Sequence, residues 1–96
     1  MIKKNLKFGE ALELAQQGYK IARDGWNGKG LYIMFVPGSI IKARNAKRGP
    51  VKELAKTQEQ VEILGHFDIK MANDQVSVGW RPTTPDMLGK DWTAFI

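Results

Sequence analysis

Between positions 23 and 30 the chain reads Arg23, Asp24, Gly25, Trp26, Asn27, Gly28, Lys29 and Gly30. Two cations, one amide and one indole share this segment with three of the ten glycines. An indole offers a flat face on which a planar base can stack, and nearby Arg and Lys supply charge for phosphates. The glycines free the backbone for positive φ and for close approach to a ligand. Leu31-Tyr32-Ile33-Met34-Phe35-Val36 follows directly and has the composition of a buried strand. The pattern is that of a binding rim mounted on a rigid element. The alternative is a hairpin loop with Trp26 folded back onto the core.

Other reactive types are sparse. His66 is the one histidine, two residues from Asp68 on the same strand face. The pair could move protons, but no nucleophile motif surrounds it, so a hydrogen-bonded polar strand face is the favoured reading. Asp24, Asp68, Asp74, Asp86 and Asp91 are scattered, with no spacing that signals hydrolysis. Cysteine is absent, and a single His makes no familiar zinc set, so neither a metal nor a cofactor is expected. Gly28-Lys29-Gly30 lacks the upstream glycine and the following Ser or Thr of a phosphate-binding P-loop. Trp80 and Trp92 stand beside turns and a helix start, and at least one of them is expected in the core.

Charge adds a second candidate. The net charge is +5, and Lys42, Arg44, Lys47, Arg48, Lys52 and Lys56 fall in one short span. A solvated loop explains that span; so does a grip on nucleic acid, although the aromatics that single-strand binding uses are not interleaved there. The 96 residues suit a single domain, 1–96, with a core small enough that self-association would supplement it. At 43% hydrophobic and 26% charged the composition is globular. Residues 1–5 are basic without an apolar stretch behind them, so no signal peptide is read, and no run is long enough to span a membrane. A cytoplasmic protein is expected.

The elements that must position these residues follow from periodicity. Phe8, Ala11, Leu12 and Ala15 repeat at helical spacing over 8–17, and Gly18 suits a left-handed cap. Lys7 is a poor start, with Asn5 as a substitute cap. Residues 19–23 and 31–36 read as strands, with Pro37-Gly38 as a turn. Ile40-Ile41 could continue the sheet, and 44–60 reads as an exposed excursion with a helical turn from Pro50. Residues 63–72 alternate as one strand, turn at Asn73-Asp74 and return through Val76, Val78 and Trp80. Thr83-Thr84-Pro85-Asp86 marks a one-turn helix closed by Gly89, and 91–95 is a last strand. The class is α+β: a small antiparallel sheet, an N-terminal helix and a short C-terminal helical turn, with hairpin-like sequential links.

Five segments together carry a resemblance. Phe8-Gly9-Glu10-Ala11-Leu12, the 23–30 run, Val36-Pro37-Gly38-Ser39, His66-Phe67-Asp68-Ile69-Lys70, and Trp80-Arg81-Pro82-Thr83 with Asp86-Met87-Leu88 and Asp91-Trp92 stand in order. Over about residues 7 to 93 the chain resembles the second type of Thoeris anti-defence proteins of phages; the 23–30 run and the closing Asp-Trp are the specific parts. The resemblance implies a non-enzymatic, homotetrameric sponge. It would sequester a cyclic nucleotide signal, chiefly glycocyclic ADP-ribose and in some members cyclic oligonucleotides, and so keep the host's Thoeris effector inactive. It further implies that Trp26 and Asn27 line the ligand pocket, followed by Thr84 and Asp86; Arg23, Gly28 and Lys29 complete the candidate set. Lys7 and residues 43–62 depart from the family pattern. A small basic nucleic-acid-binding accessory protein is the alternative reading, and an enzyme acting on the nucleotide stands third.

Overall fold

The basic residues at the start of the chain pair into the sheet instead of trailing from it. A computed structural model describes residues 1–26 and 30–96. Ile2–Leu6 forms an edge strand, β1, which the sequence reading left unassigned. Its register slips between Lys3 and Leu6, where Asn5 takes φ 57°. Asn5 therefore kinks a strand and does not cap the helix. The helix α1, Phe8–Gln16, starts from Lys7, whose backbone N–H donates to Glu10 Oε1 at 2.9 Å. Gly18 ends it as expected, at φ 105°.

Four further strands and the chain's last one complete a six-stranded sheet: β2 (Lys20–Arg23), β3 (Tyr32–Val36), β6 (His66–Lys70), β7 (Val76–Val78) and β8 (Trp92–Phe95). The order is β1-β8-β2-β3-β6-β7, and every pairing is antiparallel. The hairpin of β6 and β7 lies where the alternation placed it. The last strand does not: β8 inserts between β1 and β2, so the links are not all sequential. Trp92 and Ala94 point to one face, and burying them requires neighbours on both sides.

The core sits between that face and α1. Ala11 and Ala15 meet Ile21, Ile33, Trp92 and Ala94, all nearly inaccessible to solvent. Alanine on the helix lets it lie close to the sheet.

Residues 39–63 leave this body as a separate arm. Ile40-Ile41 does not extend the main sheet; β4 (Ser39–Lys42) pairs only with β5 (Gln60–Ile63), in a two-stranded sheet of its own. A 3₁₀ turn, Ala43–Asn45, and a short helix α2, Gly49–Leu54 with Pro50 in its first turn, join them. The strand expected over 63–72 is split at Leu64-Gly65. A side chain at Gly65 would stand 3.0 Å from Phe35 Cζ, so the chain turns there against the ring. With the arm, the molecule measures 47 × 27 × 26 Å. Among the described residues no helix is long and apolar enough to cross a membrane.

Candidate functional site

Arg23 ends β2 and is the register partner of Trp92 in β8, so both project to the covered face. The guanidinium meets two carboxylates. Its Nε donates to Asp91 Oδ1 at 3.0 Å and its Nη1 to Asp86 Oδ1 at 3.2 Å. Asp86 is the buried charged residue of the described chain, only 8% exposed. It opens the helix α3, Thr84–Leu88, in a reciprocal cap: Thr83 N–H donates to Asp86 Oδ2 at 2.9 Å, and Asp86 N–H donates to Thr83 Oγ1 at 3.3 Å. The Asp86 carbonyl accepts from Trp92 Nε1 at 2.9 Å. One aspartate thus ties β2, α3 and β8 together, and no buried side-chain polar atom among the described residues lacks a partner.

The electrostatics follow from the contacts. Burial alone pushes the Asp86 carboxyl up; the Thr83 backbone and side chain, together with Arg23, outweigh it and hold the carboxyl below its ordinary value. Hydrogen bonds to Asp91 and then Asp86 raise Arg23 above its ordinary value. Gly89 closes α3 under this pair. A Cβ there would stand 2.9 Å from both Arg23 Nη2 and Asp91 Oδ1.

The lock sits at the root of the glycine-rich rim. Asp24 N–H donates to the Asp91 carbonyl at 3.2 Å, and Trp26 N–H to the Arg23 carbonyl at 3.3 Å. Trp26 meets Trp92 edge-on, with centroids 5.5 Å apart at 77°. Trp80 meets the same ring at 6.2 Å, and Phe8 at 5.3 Å. All three tryptophans therefore belong to one aromatic cluster. Trp92 is wholly buried, while Trp26 and Trp80 are half-buried at its margin. The expectation that at least one of Trp80 and Trp92 is core holds for Trp92.

Of the sequence candidates, Arg23 and Asp86 are joined directly, Trp26 is tied to the Arg23 carbonyl, and Thr84 stands in the first turn of α3. Thr84 is exposed, and Asp86 turns inward to Arg23. Asn27, Gly28 and Lys29 lie outside the described residues. Asp91, read from the sequence as a strand residue and as part of the resemblance, was not among the candidate site residues; no spacing ties it to Arg23, 68 positions away. His66 and Asp68 do pair: Nε2 lies 3.5 Å from Asp68 Oδ1 and Nδ1 is 2.9 Å from the Leu64 carbonyl. Asp68 Oδ1 also accepts from Gly79 N–H at 3.1 Å, so the pair is part of the strand ends. Among the described residues no three His, Asp or Glu side chains cluster as metal ligands.

Tyr32 was also missed. It lies on the open face of the sheet between two cations, with Lys20 Nζ 5.2 Å and Lys70 Nζ 5.5 Å from its centroid. Only the strand register reveals this, because the three residues come from β2, β3 and β6.

Comparison with known proteins adds two findings. The model of a family described as the Thoeris anti-defense 2-like domain matches residues 6–95. The chain is 32% identical over 92 residues to a curated protein named Thoeris anti-defense 2 from Bacillus phage SP01, an alignment covering 95% of this chain and 96% of that one.

Proposed function

The chain belongs to the Thoeris anti-defence 2-like family, which supports an anti-defence role, and from that premise we propose that it binds and sequesters a cyclic nucleotide immune signal without altering it. Glycocyclic ADP-ribose is the ligand proposed first, with cyclic oligonucleotides as a related class. Removing the signal from the host cytoplasm would leave the Thoeris effector inactive.

The observation that carries this reading is the half-buried indole of Trp26 at the root of the glycine-rich rim. The ring stands nearly perpendicular to that of Trp92 and stays partly exposed, and in this proposal its exposed part receives a base. The ion pairs of Arg23 with Asp86 and Asp91 fix the chain three residues before that ring. In this proposal Trp26, Asn27, Gly28 and Lys29 contact the ligand, and Thr84 contributes its exposed hydroxyl. Arg23 and Asp86 contribute chiefly by holding β2 against α3. Copies of the chain assemble, a tetramer being proposed, and the site is completed where they meet.

Incubation with glycocyclic ADP-ribose, removal of free ligand and heat denaturation test the proposal by the identity of what is released. Intact ligand supports sequestration. An altered product makes the protein an enzyme, and release of nothing sinks the reading for this ligand.

A further inference from the structure

The arm carries a cavity of about 340 Å³, away from Trp26, walled by Lys42, Arg44, Ala55, Gln58, Glu59 and Gln60. That size lies at the small end of ligand pockets. Its lining side chains are all exposed, and the backbone behind them is held. Ala43 is wholly buried, and its N–H donates to the Glu59 carbonyl at 2.9 Å, so the residues on either side of it, Lys42 and Arg44, are held at the cavity. In the same lining the Gln58 N–H donates to the Leu54 carbonyl at 2.8 Å, which fixes the turn between α2 and β5. Neither Lys42 nor Arg44 enters the ion pairs found among the described residues, which are formed by Arg23, Lys56, His66 and Lys70.

Two cations without carboxylate partners among the described residues, beside a concave wall, attract an anion, and Arg with Lys suits a phosphate. Glu59 narrows the class. A carboxylate in the same lining repels a run of phosphates such as a nucleic-acid backbone, but it accepts hydrogen bonds from hydroxyls. We propose that this cavity is a second binding site, for a small phosphate monoester that carries sugar hydroxyls. Lys42 and Arg44 hold the phosphate, Glu59 takes the hydroxyls, and the Gln58 and Gln60 amides flank them. The site is independent of the Trp26 rim and does not need the sequestration reading to be correct.

Calorimetric titration of the full chain with ribose 5-phosphate, inorganic phosphate and duplex DNA tests it. Ribose 5-phosphate should bind more tightly than inorganic phosphate. The double variant Lys42→Gln, Arg44→Gln should weaken it at least about tenfold, as expected when charge-assisted hydrogen bonds are lost. Glu59→Gln should weaken ribose 5-phosphate while leaving inorganic phosphate unchanged or tighter. Trp26→Ala should leave all of these affinities alone, which separates this site from the rim. Thermal melting establishes that each variant is folded. No ribose 5-phosphate binding at millimolar concentration overturns the proposal, as does equal binding of the sugar phosphate and free phosphate. Displacement of ribose 5-phosphate by duplex DNA would overturn it in favour of a nucleic-acid grip.

Discussion

Trp26 packs in the aromatic cluster and is proposed to stack on the ligand, and two measurements on one substitution separate these roles. Its ring packs on Trp92, so Trp26→Ala removes core contact as well as the proposed stacking face. Base–aromatic stacking is worth about 1–3 kcal/mol, which is roughly five- to 150-fold in affinity. The expected result is weakening of glycocyclic ADP-ribose in that range, with a melting loss clearly smaller than that of Trp92→Ala, where truncating a buried aromatic costs about 3–5 kcal/mol. A melting loss equal to that of Trp92→Ala, with affinity unchanged in the folded fraction, would make the indole scaffold only. Asp86 gives a second prediction at this scale. Its folded carboxyl titrates below the ordinary carboxylate value. Its stabilising contribution is therefore complete above the unfolded value and disappears as the pH falls through the folded one. Melting temperature should drop on acidification, and Asp86→Asn should be less stable at neutral pH with a flatter acid limb. An unchanged acid limb in that variant would assign the pH response to other carboxylates.

At the scale of elements, α3 is only five residues long, too short to persist without its ends held. Thr83→Ala removes the hydroxyl that accepts from Asp86 N–H, and loss of such a cap costs about 1 kcal/mol. Because Asp86 also orients Arg23, the variant should loosen the rim, seen as faster amide exchange at Asp24 and Trp26. Exchange unchanged there would show that the rim is held without α3. The arm behaves differently. Lys47, Arg48 and Lys52 are exposed, and α2 has no buried residue. Changing all three to Ser should leave binding of the cyclic nucleotide nearly intact. Tight duplex DNA binding by the parent at physiological salt, weakening steeply as salt rises, would promote the nucleic-acid alternative.

For the whole molecule, the geometry leaves apolar surface to be covered. The register puts Tyr32, Met34, Val36, Val76 and Val78 on the sheet face opposite α1, and Val76 and Val78 are 59% and 72% exposed. Ile40 on the arm is 69% exposed. Light scattering at micromolar concentration should give a mass above the 10.8 kDa of one chain, the tetramer being the proposed state. A clean monomer would remove both the assembly and any site completed between copies.

The sequence by itself determined what is local. The 3.6-residue spacing of Phe8, Ala11 and Ala15 makes α1, and Gly18 supplies its left-handed end. Alternation through Phe67 and Ile69 and back through Val76 and Val78 makes the β6–β7 hairpin. The Thr83–Asp86 spacing writes the cap of α3 into four residues. The resemblance to the family, too, was carried by local strings, among them the run around Trp26. The tertiary structure decided what depends on contacts between distant residues. Propensity cannot say that β8 enters between β1 and β2, because insertion follows from burying Trp92 and Ala94 on both flanks. Nor does any spacing link Arg23 to residues 63 and 68 positions away. The sheet of Ile40-Ile41 was misread for the same reason: the pair has strand character in either sheet, and only its partner, β5, selects which. The candidate site was therefore half legible. Its residue types stood in one segment, but what holds them in place was set by the packing of β2, α3 and β8.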